Sequence, residues 1–391
     1  MMEIVLFDPP DRKALFPIVA LKALADVKIG ILTMAERWEK IFNQPVYTQT
    51  ATYLQPLYAS IPEKKAVYLY INAALMPNNE IISQIKKLQI GEALFLNNQL
   101  IAFLHSAVIS YNDINNNYSI YIKQSKQASK GKVISFTSQL FEWNQEMIEY
   151  DFALITTDRT SQPLSLTNTL IGNGKVFIEP EATVEGTFIN VSQGPVYIGK
   201  KATVMEGSAI RGPFSMNTNS VLKMGTKAYA GTSLGSNCIG GGEIKNVNFQ
   251  NNSNKAHEGY LGDSVIGEWC NLGAGSSNSN VKNTGGMVKL YNCATDEYQE
   301  VAQKCGLILG DFSRLAINSS INTGTVIGVC CNVFGIGLSP KYLPNFSWGF
   351  DGLKYNLEKA FIDINNWMNM KNSYLSPQQK SILTYLHSNQ S

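Results

Sequence analysis

The sequence predicts an α/β domain, then a three-sided parallel β-helix built from hexapeptide repeats, then C-terminal helices. Aliphatic residues recur at every sixth position through the middle of the chain, short apolar runs alternate with helical patterns before residue 160, and a Ser-Pro-Gln-Gln helix start lies near the end. With 391 residues the chain exceeds the roughly 250–300 at which single cores stop growing, so several units are expected. The patterns divide it into residues 1–165, 170–337 and 338–391.

The N-terminal part reads as alternating strands and helices: strands at 4–7, 67–71, 93–96 and 101–104, helices at 33–42 and 79–88. That order implies a layered α/β domain. The repeat begins near residue 170. Ile198, Val204, Ile210, Met216, Leu222, Ala228 and Leu234 keep one register, and four places after each stand Ala202, Ser208, Phe214, Ser220, Thr226, Thr232 and Cys238. Leu309, Leu315, Ile321, Ile327 and Val333 form a second run, followed at the fourth place by Ser313, Ser319, Thr325 and Cys331.

A helix would need apolar spacings of three and four, and a half-buried strand would need alternation by two. Period six instead fits one flat side of a triangular prism, with the aliphatic residue on the axis and the small one packed at the corner. Three sides make a coil, so about 18 residues advance the prism by roughly 4.8 Å. Cys238, Cys270 and Cys331 share the small inward place and read as apolar fillers. No paired CxxC zinc spacing occurs. Beyond Pro344, Phe346–Phe350 caps the prism end, and helices follow over 353–370 and 376–387.

Thirty-two basic against 30 acidic residues leave a net charge of +2, which excludes nucleic-acid binding by bulk charge and makes phosphate recognition a local matter. The opening residues lack a signal peptide's basic start and apolar run, and no apolar stretch is long enough to span a bilayer. A soluble cytoplasmic protein without a membrane partner is expected.

Between Ile239 and Tyr260 the six-residue register is lost, and the text turns rich in Gly, Asn and Ser. That composition fits a surface loop or a bulged coil. The residues from His257 to Gly267 (His-Glu-Gly-Tyr-Leu-Gly-Asp-Ser-Val-Ile-Gly), then Asn271-Leu272-Gly273-Ala274-Gly275, resemble the acetyltransferase domain of the bifunctional N-acetylglucosamine-1-phosphate uridyltransferase/glucosamine-1-phosphate acetyltransferase family. The resemblance implies the left hand of the β-helix, homotrimeric assembly, and acetyl-CoA and an amino sugar phosphate as substrates. It implies His257 as general base, Tyr260 and Asn271 as sugar-phosphate contacts, and Lys245 and Lys227 as phosphate ligands. It also places Asn280, Gly273 and Ala274 beside the acyl donor, although the family's Asn-Tyr pair is Asn280-Val281 here. The chemistry wants these types independently. Imidazole, with a pKa of about 6.5, suits removal of a proton from an attacking amine near neutrality. An amide or a Gly-rich backbone can face the thioester oxyanion, and an ammonium suits a phosphate monoester.

Leu6-Phe7-Asp8, Lys28–Thr33 and Glu36-Arg37-Trp38 resemble the nucleotidyltransferase-like N-terminal domain of a variant branch of that family. The resemblance implies a sugar-1-phosphate nucleotidyltransferase using magnesium, with Asp8, Arg12 and Lys22 as nucleotide-binding residues. The stretch Asp8-Pro9-Pro10-Asp11-Arg12-Lys13 has no glycine, however, and its prolines remove two N–H donors from a phosphate-binding loop. Solvated surface charge is the other reading of these three residues. A non-catalytic sugar-nucleotide-binding scaffold is a third reading of the whole chain.

Overall fold

A computed structural model describes residues 2–63 and 67–389. It has two compact units. One comprises the chain up to Lys13, Leu21–Val27 and Thr33–Ser135; the other comprises Ala14–Ala20, Lys28–Leu32 and the chain from Phe136.

The first unit is built on a six-stranded sheet in the order Val46–Gln49, Met2–Phe7, Val67–Asn72, Gln99–His105, Glu92–Leu96, Gln124–Gln127. The first three strands are parallel and the fourth is antiparallel to the third. Asn97 and Asn98 turn the hairpin between Glu92–Leu96 and Gln99–His105 with φ of 49° and 64°, the left-handed pair that a tight right-twisted hairpin requires. Helix Met34–Phe42 starts in the capping box of Thr33 and Glu36, and Asn79–Ile85 starts on Asn78. Val5, Phe7, Tyr68, Tyr70 and Phe103 fill one face of the sheet. The α/β reading is borne out.

The second unit contains a left-handed parallel β-helix. Its rungs carry the sequence period directly. Ile178, Ile198, Met216 and Leu234 are mutual partners on the first face, and Val184, Val204, Leu222 and Gly240 on the second. Ile189, Ile210, Ala228, Ile244 and Leu261 align on the third. These side chains make one continuous core, into which Cys238, Cys270 and Cys331 pack as buried thiols. Burial pushes the Cys238 and Cys331 thiols up to about 11, as an apolar filler role requires.

The loop reading of residues 239–260 is corrected. Glu243–Phe249 and Tyr260–Ile266 each run as one strand across two faces, and Asn254–Lys255 supplies the other, so the ladder is unbroken. The period vanishes there because the coils use fewer residues and because Gly240 and then Lys255 hold the axial place of the second face. The insertion lies later: an antiparallel hairpin, Val288–Asn292 with Glu297–Ala302. Its base is closed by Cys305 N–H donating to the Asn280 carbonyl and Gly306 N–H to the Asp263 carbonyl, at 2.9 and 2.8 Å.

Ser347–Trp348 adds the last rung beside Asn332, and Leu353–Lys354 folds back on it antiparallel. The helix expected from residue 353 therefore starts at Leu357, after the Asn356 cap, and Pro377–Ser388 follows with the Ser376/Gln379 capping box. Among the described residues no helix is long and apolar enough to cross a membrane.

Candidate functional site

Strand alternation sends Ala228, Ile244 and Leu261 to the axis and their neighbours outward, so the third face carries Lys227, then Glu243, then Tyr260 in one column. In the adjoining column Lys245 lies beside Gly262. Gly262 leaves room for the phenol: a Cβ there would come within 2.1 Å of the Tyr260 hydroxyl oxygen.

The Tyr260 hydroxyl accepts a hydrogen bond from Asn280 Nδ2 at 3.0 Å, and the same amide donates to Asp263 Oδ2 at 2.6 Å. Asp263 Oδ1 accepts from Asn246 Nδ2 at 2.8 Å. Burial, reinforced by the Asp263 and Glu243 charges, pushes the phenol up to about 12, so it stays protonated near neutrality and is a donor. Both Asn280 N–H groups are committed to this brace. The oxyanion-donor role that the sequence suggested for that amide does not fit this arrangement.

His257 occupies the corner between the second and third faces, exposed to solvent, with no hydrogen bond to its ring among the described residues. The corner is held from inside. Lys255 points to the axis and is 2% exposed, yet its Nζ donates to the carbonyls of His257 at 2.6 Å and Gly241 at 3.2 Å. Desolvation pulls this lysine down to about 8. Gly273 and Ala274 form the same corner one coil further along, where the Gly275 N–H donates to the Glu258 carbonyl at 3.1 Å. A Cβ on Gly273 would meet Ala316 at 2.6 Å. The N–H of Ala274 has no acceptor among the described residues.

The structure thus gathers Tyr260, Lys245 and Asn280 on the third face and stacks Gly273 and Ala274 against the His257 corner. Asn271 lies before that corner, on the second face beside Asn254, and Lys227 lies two rungs from Tyr260. Sequence reading missed Lys255, Asp263 and Asn246. Asn246 and Lys255 lie where the six-residue register is lost, so no periodic signal marked them.

In the first unit, Asp8, Arg12 and Lys22 are 0%, 5% and 6% exposed, which corrects their reading as surface charge. Asp8 Oδ2 accepts from Arg12 Nε at 3.0 Å and from the Thr50 hydroxyl at 2.5 Å, while Oδ1 accepts from the Leu24 N–H at 2.9 Å. Arg12 Nη2 donates to the Lys22 carbonyl at 3.1 Å. Asp8 therefore clasps the segment from Arg12 to Leu24. Both of its oxygens are taken by protein donors. A cavity of about 430 Å³ opens at the carboxyl ends of the strands ending in Phe7 and Asn72, lined also by Asn97, Asn98, Asn115 and Tyr118. That is the usual place for a ligand on a parallel sheet.

Residues 4–160 match the sugar nucleotidyl transferase family. The bifunctional protein GlmU of Methanocaldococcus jannaschii is 33% identical over 89 residues, a match covering 23% of this chain and 21% of that protein. The match thus spans about a fifth of that relative. Among solved structures, LpxA, a UDP-N-acetylglucosamine acyltransferase from Bacteroides fragilis, is 12% identical, with 59% of this chain and 98% of that one covered and a TM-score of 0.29. A hexapeptide transferase family protein from Anaplasma phagocytophilum is 15% identical, covering 53% and 97%, with a TM-score of 0.13. The chain is thus related to the sugar nucleotidyl transferases over residues 4–160 and, over a shorter stretch, to a bifunctional GlmU protein.

Proposed function

We propose that the chain is a cytoplasmic, homotrimeric N-acetyltransferase that moves an acetyl group from acetyl-CoA to the amine of an amino sugar 1-phosphate. The observation that carries this reading is the exposed imidazole of His257 at a corner flanked by the braced Tyr260–Asn280 pair, Lys245, and the Gly273–Ala274 backbone. In the proposed step the sugar amine attacks the thioester carbonyl, His257 takes the proton the nitrogen loses, the C–S bond breaks, and the CoA thiolate leaves with a proton. The unpartnered Ala274 N–H is the donor we assign to the oxyanion, in place of the Asn280 amide. Lys245, with Lys227 further along the face, is assigned to the phosphate, Tyr260 and Asn271 to the sugar, and Asn280 to holding Tyr260.

Thiol release from acetyl-CoA in the presence of glucosamine 1-phosphate tests it. His257→Ala should lower kcat by about 10²–10⁴-fold with the fold intact. Unchanged turnover would remove the base from His257.

The family match over residues 4–160 favours a second activity, sugar-1-phosphate nucleotidyl transfer, at the 430 Å³ cavity of the first unit. Pyrophosphate release from a nucleoside triphosphate in the same preparation decides it. If neither product forms while a sugar nucleotide still binds, the chain is a binding scaffold.

A further inference from the structure

Arg314 points outward from the second face of the prism, one rung above Asn271 and one below Asn332. An outward arginine on a prism face is ordinarily solvated. This one is 9% exposed, because helix Leu357–Asn369 lies over it and the Trp367 ring covers its guanidinium, with Cζ 5.3 Å from the ring centroid. Its Nε and Nη2 atoms are buried and make no hydrogen bond, and no carboxylate among the described residues lies within ion-pair distance. The Asp363 carboxylate, whose charge reaches Arg314, is engaged by the Tyr355 hydroxyl.

Burying a guanidinium without an acceptor is costly, and a hydrophobic side chain of similar volume would serve a purely structural purpose better. The two unspent atoms also form one specific edge. Nε–H and Nη2–H point in parallel and match the two oxygens of a phosphoryl or carboxylate group. Strand spacing sets Asn271 and Asn332 roughly 4.8 Å to either side. Both are half-buried, and neither side-chain amide has a protein partner among the described residues.

We propose that Asn271, Arg314 and Asn332 form an oxyanion-binding site between the second face of the prism and helix Leu357–Asn369. Arg314 supplies two parallel N–H···O bonds and the flanking amides supply further donors. Admission of the ligand requires an outward swing of Trp367, which now closes the guanidinium off. The site involves no proton transfer; it shares Asn271 with the proposed sugar contacts, whereas Arg314 and Asn332 lie outside them.

Calorimetric titration of the full chain with inorganic phosphate, and separately with acetate, tests it. Phosphate binding that raises Tm is expected in the wild type and in His257→Ala. With the third-face phosphate ligands removed by Lys227→Ala and Lys245→Ala, Arg314→Lys, which keeps the charge but loses the fork, should weaken the remaining binding roughly tenfold or more, and Arg314→Met should abolish it. Binding of acetate but not phosphate would identify a carboxylate ligand at the same edge. Equal phosphate affinity with and without Arg314→Lys in that background would overturn the site, as would absence of binding by both anions. A further contrary result is Asp363→Asn lowering Tm as much as Arg314→Met with no anion effect, which would make Asp363 the true partner of Arg314.

Discussion

Lys255 shows most directly how one residue can both break a pattern and hold a site. It stands where the coils on either side of Asn254–Lys255 carry Gly240 and Leu272, and its ammonium ties down the carbonyl of His257. Burial lowers its pKa to about 8, against about 10.4 for an exposed lysine. Below about pH 8 both folded and unfolded chains carry the proton, so the full cost of burying the charge is present. Between about 8 and 10.4 the unfolded chain binds more protons, and stability rises with pH. Lys255→Met removes this dependence. Urea unfolding should therefore show the wild type gaining about 1–3 kcal/mol on the variant between roughly pH 7 and pH 10. A gap independent of pH would mean the ammonium is not desolvated. His257 was legible from the sequence through the motif around it; Lys255 was not, because a lysine offers no periodic signal when it sits on an axis.

Among the elements, the hairpin Val288–Asn292/Glu297–Ala302 is attached to the prism without interrupting it. Val265 and Ile266 pair with Ile308 and Leu309 across the insertion, as if the intervening residues were absent. Replacing residues 282–303 with a short Gly-Ser turn should then leave the β-helix folded. The losses are the burial of Val288 and Leu290, each 0% exposed, worth about 1.5–3 kcal/mol apiece, and the stack of Tyr291 on Tyr342, centroids 3.8 Å apart, worth about 0.5–1.5 kcal/mol. At roughly 2–4 °C per kcal/mol, calorimetry should show Tm falling by roughly 7–30 °C with a single cooperative transition retained. Loss of the cooperative transition altogether would make the hairpin part of the core the prism needs to fold. The regular coils were readable from sequence because each axial position demands an aliphatic residue. The compressed coils around Glu243–Phe249 and Tyr260–Ile266 were not, since a strand that runs straight through a corner drops the spacing of six.

For the molecule as a whole, the consequential feature is a short N-terminal segment that belongs with the repeat. The Lys28 N–H donates to Gln250 Oε1 at 2.8 Å and its carbonyl accepts from Asn248 Nδ2 at 2.9 Å. The Gly30 N–H donates to Asn144 Oδ1 at 2.7 Å, and those of Ile31 and Leu32 to Asp151 Oδ2 at 2.9 and 3.0 Å. Asn144, Asn248 and Asp151 are each 0% exposed. A chain truncated to begin at Phe136 would strip these hydrogen bonds from Asn144, Asn248, Gln250 and Asp151, at about 0.5–1.5 kcal/mol for each bond lost. It should be insoluble or melt well below the full chain in a thermal scan. Equal stability would show that Lys28–Leu32 is dispensable to the repeat.

Legible in the chain alone were the axial residues of the regular coils, the Ser376 start of the last helix, and the α/β order of the first unit. Each of these rests on a local rule: a period of burial, a cap, or an alternation. Folding alone brings Lys28 to Gln250 at a separation of 222 residues, Asp8 to Thr50 inside the first unit at a separation of 42, and Arg314 beneath Trp367. Contacts between distant residues place no periodic demand on either partner, so they leave no trace in the local pattern of the chain.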